Sequence, residues 1–249
     1  MTVDDRSLAL RLAEKAGELL LEIRSRLESG DDPQSVRDRG DRMSHDLIAA
    51  VLHNERPDDA VLSEEGVDDP VRLKADRVWI VDPLDGTREF GEPGRTDWAV
   101  HVALWERGEL TVGAVALPAE GEVLTSADPP TIPRTDGPPR LIVSRTRPPR
   151  VALRLCEALD GEMVEMGSAG AKAMAVLRGQ ADVYAHAGGQ YEWDSAAPVA
   201  VARAAGAHTS RIDGSPLLYN NADPSLPDLL ICRPELAERA LKALDAVSE

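Results

Sequence analysis

Residues 79–90 read WIVDPLDGTREF. Trp79, Ile80 and Val81 close an apolar run with the look of a buried strand, and Asp82 follows at once, with Asp85 three residues on and Gly86–Thr87 directly behind. A strand ending at Val81 would carry Asp82 to the rim of a sheet. Pro83 would stiffen the turn, and Gly86–Thr87 would open the next segment with free backbone N–H groups that suit a phosphate. Two carboxylates held this close resist joint ionisation unless a cation lies between them, and hard oxygen ligands with one backbone carbonyl, such as that of Leu84, suit Mg²⁺. Asp, Pro and Gly are also the ordinary residues of turns. Taken alone, the stretch fits a turn, a metal site or a phosphate cradle.

Other acids occupy comparable places. Ser63-Glu64-Glu65 follows the short apolar run Ala60 to Leu62, so carboxylates again stand where a strand leaves a sheet; adjacent glutamates are also common in solvated loops. Asp194, in YEWDSAAPVAVA, stands at the start of a helical pattern, where an N-cap is the plain alternative. Asp41, in RDRGDRMSHDL, has the same alternative, just ahead of a helix expected over Ser44–His53 with Leu47, Ile48, Val51 and Leu52 inward.

Around these acids the chain divides in two. Leu8, Leu12, Ala16, Leu19, Leu20, Ile23 and Leu27 form one face of a long amphipathic helix, with Asp4 or Asp5 near its cap. DWAVHVALWERGELTVGAVALPAEGEVLTSA reads as three strands joined by the turns ERGE and PAEGE, which implies a largely antiparallel sheet in the first half. Pro and Gly crowd residues 128–140 without apolar periodicity, so a boundary is expected there, between an N-terminal α+β lobe over 1–134 and a C-terminal α/β lobe over 135–249. In the second half RLIVS, EMVEMG, ADVYAHA and DLLICR alternate with the helical patterns RVALRLCEAL, SAGAKAMAVLRG, WDSAAPVAVARAAG and PELAERALKALDAVS, which favours strands covered by helices.

Composition narrows the function. Lys and Arg number 28 against 44 Asp and Glu, a net charge of −16 that opposes nonspecific binding to nucleic acid or anionic membrane. Cys156 and Cys232 have no metal-ligand spacing, and the charged N-terminus resembles neither a signal peptide nor a membrane span, so a reduced cytoplasm is expected. The histidines His45, His53, His101, His186 and His208 form no HExxH or clustered spacing, which sets zinc hydrolysis aside. Neither GxSxG nor GxxxxGK[ST] occurs, which sets aside serine hydrolases and P-loop enzymes.

Taken together and in this order, SEE, DPLDGT and WDSAA resemble the inositol monophosphatase superfamily of metal-dependent, lithium-sensitive phosphatases, over nearly the whole chain. DGTREF is similar to the CysQ group of that superfamily, which carries DGT-K/R-EF and acts on 3′-phosphoadenosine 5′-phosphate. SRT at Ser144–Thr146 and GSAGAK at Gly167–Lys172 resemble the group's SRS and GSSLK segments, whereas DWAVHVALW stands where many members have EFTVNIALI, and RDRGDRMSHD departs from their VTxAD.

The resemblance implies an αβαβα layered sandwich of the α+β class, with the active site between the lobes. It implies two to three Mg²⁺ ions. Glu64, Asp82 and the Leu84 carbonyl would hold one and Asp82, Asp85 and Asp194 a second, with a third, weaker ion held partly by Glu64. Thr87, with Asp41, would orient and deprotonate the attacking water, and Glu65 would stand near the metals. Gly86 and Thr87 would bind the phosphoryl oxygens through backbone N–H groups. Arg145 and Lys172 would meet the second phosphate of a bisphosphorylated nucleotide, a surface strand end being the plain alternative for Arg145 and a solvent-facing helix position for Lys172; Ser144 and Ser168 would donate hydrogen bonds to phosphate or ribose, Ser168 being equally a helix cap. The expected partner is a phosphorylated small molecule, and many relatives are homodimers. The leading expectation is 3′(2′),5′-bisphosphate nucleotidase activity yielding AMP and phosphate. Inositol-1-phosphate and fructose-1,6-bisphosphate are alternative substrates, and a catalytically silent metal- or nucleotide-binding regulator is the alternative of another class.

Overall fold

In the computed structural model, which describes residues 4–246, Asp4 caps α1 (Asp5–Glu28) by accepting the backbone N–H groups of Arg6 and Ser7, each at 3.0 Å. The inward stripe is the expected one, with Leu8, Leu12, Ala16 and Leu20 wholly buried. Helix α2 is much longer than expected, running over Pro33–Glu55 from an Asp32 cap. Its buried positions Val36, Gly40, Ser44, Ile48 and Leu52 recur every four residues, but the first three include a glycine and a serine, so the early turns lack an apolar signature. Asp41 therefore lies inside the helix rather than before it.

The first sheet contains β1 (Ala60–Ser63), β2 (Arg77–Asp85), β3 (Ala99–Glu106), β4 (Glu109–Leu117) and β5 (Glu122–Thr125), in chain order. Only β1 and β2 pair in parallel; the remaining pairs are antiparallel, with the two expected turns between β3, β4 and β5. Strand β2 does not stop at Val81 but continues through Asp82-Pro83-Leu84 to Asp85, and its register against β3 shifts between Asp82 and Asp85. In a regular strand, residues three apart point to opposite faces. The irregularity reverses that parity: Trp79, Val81 and Leu84 share one cluster, Val78 and Ile80 another, and Asp82 and Asp85 both reach the second side. Gly86, at φ +86°, then turns the chain into the single-turn helix α3 (Thr87–Phe90).

No strand or helix spans the stretch between Thr125 and Arg140. The second half comprises β6 (Arg140–Ser144), α4 (Arg150–Ala158), β7 (Glu162–Met166), α5 (Ala169–Leu177), β8 (Val183–Tyr191), α6 (Glu192–Ala204), β9 (His208–Ser210), β10 (Ser225–Cys232) and α7 (Ala237–Asp245). Its mixed sheet runs β7-β6-β8-β10-β9. The short β9 carries no run of its own in the sequence and exists by pairing with β10.

Three apolar clusters define the layers. One joins α1 and α2 to the first sheet. A central one joins both sheets to α5 and α6. The third joins the far face of the second sheet to α4 and α7. The result is the αβαβα sandwich, with α5 and α6 in the middle and the ends of β2, α5 and α6 converging. Among the described residues no helix is long and apolar enough to cross a membrane.

Candidate active site

The DPLDGT segment is fixed from both sides. On α2, the Ser44 hydroxyl donates to the Pro83 carbonyl at 2.7 Å, which anchors the helix on the irregular end of β2. That contact places Asp41, one turn earlier, beside α3: the Thr87 hydroxyl lies 3.3 Å from Asp41 Oδ1 and 3.1 Å from the Leu84 carbonyl, and its one hydrogen serves one of them at a time. Burial and then the neighbouring Glu65 carboxylate push Asp41 up to about 7.

Asp82, Asp85 and Asp194 meet where the layers converge. One carboxylate oxygen from each lies within 4.8 Å of the others, and Asp82 and Asp85 are buried. Glu64 is exposed as a residue, yet its carboxyl hydrogen-bonds Asp82. Burial raises Asp82 well above the ordinary carboxylate range, reinforced by Glu64, Asp85 and Asp194. Burial and neighbouring carboxylates likewise raise Glu64 and Asp194 to about 7 each. Asp85 goes the other way. Burial opposes its ionisation, but the His101 ring, Lys172 and Ser168 outweigh burial and hold it below the usual range.

Helix α5 supplies much of that hold. The Ala169 and Gly170 N–H groups donate to Asp85 at 3.1 and 2.6 Å, and the Ser168 hydroxyl donates to it as well. Ser168 Oγ also accepts the Ala171 N–H at 2.9 Å, so Ser168 is both the cap of α5 and a partner of Asp85. Asp194, in the first turn of α6, accepts the Tyr191 N–H at 2.7 Å, so it too combines a helix-end role with a place in the acid cluster.

Beside the acids lies a cavity of about 610 Å³ that reaches Gly86, Ser144, Ser168 and Lys172. Lys172 is not solvent-facing: it is 5% exposed, and its Nζ donates to the carbonyls of Gly167 and Ser168. Burial lowers its pKa. Arg145 is not a free strand end either, since its guanidinium bonds Glu89 Oε1 at 2.9 Å and Glu92 Oε1 at 2.7 Å, and it does not line the cavity. Besides Lys172, the wall carries Arg88, Arg147 and Arg150, which form no ion pair among the described residues and none of which the sequence singled out. Each is exposed in a loop or short helix, where one more arginine carries no distinguishing signal.

His101 is the other residue missed. It pairs with Asp82 in the β2–β3 register and is wholly buried, facing the acids. Burial would lower its pKa, but Asp85 raises it. A polar residue inside AVHVAL was a visible signal; its register against Asp82 was not.

The donor set fits hard divalent cations. Every side-chain ligand offered is a carboxylate oxygen, three of these oxygens lie within 4.8 Å of one another, and burial and mutual repulsion shift Glu64, Asp82 and Asp194 upward in pKa. Crowding of this kind is relieved by a cation placed among the oxygens.

Comparison with known proteins agrees with this geometry. The Inositol monophosphatase family profile matches residues 4–129 and 141–249. A 3′-phosphoadenosine 5′-phosphate phosphatase of Mycobacterium leprae is 54% identical over 246 residues, covering 94% of this chain and 90% of that protein. The 3′(2′),5′-bisphosphate nucleotidase CysQ of Escherichia coli is 33% identical over 84% of this chain and 91% of its own length. The crystal structure of CysQ from Bacteroides thetaiotaomicron superposes with a TM-score of 0.79 at 28% identity, covering 92% of this chain and 97% of that one.

Proposed function

The chain belongs to the inositol monophosphatase family, and on that premise we propose that it removes the 3′-phosphate of 3′-phosphoadenosine 5′-phosphate, giving AMP and inorganic phosphate. The observation that carries this reading is the trio of Asp82, Asp85 and Asp194, oxygens within 4.8 Å, next to a cavity large enough for a nucleotide that is walled by arginines and reached through Gly86 and Ser168, the neighbour and the partner of Asp85.

Glu64, Asp82, the Leu84 carbonyl, Asp85 and Asp194 would hold two or three Mg²⁺ ions. When bound, the ions neutralise phosphate charge and acidify water. The protein's own part is positional and protolytic. Thr87 Oγ1 receives the proton of the attacking water as its own proton passes to Asp41 Oδ1, the group whose raised pKa makes it a base near neutrality. The oxygen of that water forms the new bond to phosphorus while the bond to the ribose 3′-oxygen breaks, and that oxygen takes a proton from solvent. Backbone N–H groups at Gly86 and Thr87 bind the phosphoryl oxygens. Glu65 adds, through its charge, to the burial that keeps Asp41 high in pKa.

The second phosphate distinguishes this substrate from inositol-1-phosphate. With Arg145 engaged by glutamates and Lys172 by carbonyls, Arg88, Arg147 and Arg150 are the cations left to meet it, with Ser144 as a hydrogen-bond donor; the expected donor Ser168 instead gives its hydrogen to Asp85. Buried, unpaired Cys156 and Cys232 fit a cytoplasmic enzyme.

The test is phosphate release from 3′-phosphoadenosine 5′-phosphate, inositol-1-phosphate and fructose-1,6-bisphosphate, with Mg²⁺ and then with EDTA. The expected result is the highest kcat/KM on the nucleotide and no turnover in EDTA. Turnover that survives EDTA, or preference for either sugar phosphate, overturns the reading.

A further inference from the structure

We infer that His101 is a positioning residue for the cation-holding acids: its ring ties Asp85 of the first sheet to the backbone of α6 next to Asp194, and so sets the spacing across the site. The inference rests on the reading of Asp82, Asp85 and Asp194 as cation ligands.

The geometry is specific. His101 leaves β3 on the face that Asp82 shares and is 0% exposed. Nδ1 lies 3.0 Å from the Trp193 carbonyl oxygen, which can only accept, so Nδ1 carries hydrogen and donates. Nε2 lies 3.3 Å from Asp85 Oδ2, within ion-pair range, and forms no aligned hydrogen bond to it or to any other group. Nδ1 also stands 4.0 Å from Asp82 Oδ2. A single rigid ring thus touches the residue before Asp194 and both acids of DPLD.

Helix α5 is built around that ring. A Cβ on Gly170 would lie 2.0 Å from Nε2 and within about 3 Å of two ring carbons, so the position has no room for a side chain while the imidazole is seated. The same glycine's N–H donates to Asp85 Oδ2 at 2.6 Å. The Gly170 N–H thus bonds, and the His101 ring abuts at 3.3 Å, the same carboxylate oxygen from two elements, and only His101 continues to α6.

Such a tie has a physical purpose. Carboxylates this close repel one another, and within β2 the Leu84 N–H, 3.1 Å from Asp82 Oδ1, holds Asp82 but does not reach Asp194. Movement of α6 relative to β2 would have to break the Nδ1 bond or withdraw Nε2 from Asp85. Groups that orient ligands in this way typically govern cation affinity by about 10- to 100-fold.

The experiment is calorimetric titration of Mg²⁺ into the full-length wild type, His101→Asn and His101→Gln, with thermal unfolding of each in EDTA. The asparagine amide reaches the position of Nδ1 and keeps the Trp193 bond without reaching Asp85; glutamine reaches Asp85 without that bond. Both are expected to weaken Mg²⁺ binding by about 10- to 100-fold, with unfolding temperatures in EDTA like the wild type. Unchanged Mg²⁺ affinity with a lowered unfolding temperature would make the ring a packing element and overturn the inference. Should both variants fail to unfold cooperatively, Gly170→Ala, which displaces the ring from the opposite side, is read by the same two measurements. A wild type that neither binds Mg²⁺ nor needs it for turnover defeats the phosphatase reading itself; a wild type that binds, with variants that bind equally well, defeats the inference alone.

Discussion

The carboxylate of Asp85 accepts the backbone N–H of Gly170 at 2.6 Å, across a sequence separation of 85 residues. Asp85 belongs to the first sheet and Gly170 to the first turn of α5, where Ser168 and Ala169 bond the same side chain. One acid thus serves the putting-together of the fold and the chemistry of the site at once, and that double use separates the consequences of altering the acids.

Asp85→Asn should lose both functions. The amide places an NH₂ against N–H and O–H donors, and an unsatisfied buried group costs about 1–3 kcal/mol, so the unfolding temperature should fall along with turnover. Asp194→Asn should lose turnover alone. Its amide oxygen can still accept the Tyr191 N–H, and removing one charge from a crowded cluster relieves repulsion. For each variant kcat/KM should fall by more than the roughly 100-fold typical of losing an outer metal partner. Steady-state kinetics beside thermal unfolding in EDTA checks the pair; equal destabilisation by both would contradict the division of labour.

Thr87 and Asp41 form the proton path, and each leaves its own trace. Thr87→Val keeps the shape and removes the hydroxyl, so kcat should fall by about 10²–10⁴ while Mg²⁺ affinity stays close to wild type. Thr87→Ser should recover most of the rate. Asp41 must be deprotonated to receive a proton, so with its pKa at about 7 the activity should rise as pH increases through neutrality. Asp41→Asn should be slow and should lack that limb. A pH profile of kcat for wild type and Asp41→Asn decides it.

How far the sequence reached follows from which forces are local. Helix α1 and the β3–β5 hairpins were legible because apolar period and turn chemistry are local. The start of α2 was not, because Gly40 and Ser44 hold inward positions that only the packing against β2 makes sense of. The acids were legible as a set, since carboxylates at strand ends and helix starts are conspicuous together. That Asp82 and Asp85 share a face depends on the strand irregularity between them, and Pro83 hinted at a turn instead. Lys172 lies in SAGAKAMAV, where a charge in an apolar helix suggests a solvent face; the carbonyls of Gly167 and Ser168 that satisfy its ammonium come from the turn before α5.

Substrate selection should map to the arginines on the cavity wall. Arg147→Ala removes a cation with no ion pair to lose, so its effect should appear in KM for the bisphosphorylated nucleotide. A charged hydrogen bond of about 1.5–3 kcal/mol corresponds to a rise of roughly 10- to 150-fold. KM for a monophosphate ester should hardly move. Arg145→Gln is the control: it frees Glu89 and Glu92 and should disturb stability more than the nucleotide's KM. Parallel KM measurements on both substrates test the assignment, and equal rises on the two would refute it.

Without Mg²⁺ the protein should be less stable at pH 8 than at pH 5.5. Asp41, Glu64 and Asp194 each have a folded pKa of about 7, against roughly 4 for free carboxylates. Between those values the folded state binds more protons than the unfolded chain, so stability falls as pH rises through the window. Asp82 is displaced in the same direction, whereas Asp85 titrates below the window and contributes a constant there. Mg²⁺ binds the folded, deprotonated cluster, so its stabilisation should be largest at pH 8 and should narrow or reverse the difference. Unfolding temperatures at the two pH values, in EDTA and in Mg²⁺, supply the check. A metal-free protein that grows more stable from pH 5.5 to 8 would mean that the three carboxylates are not crowded as this geometry requires.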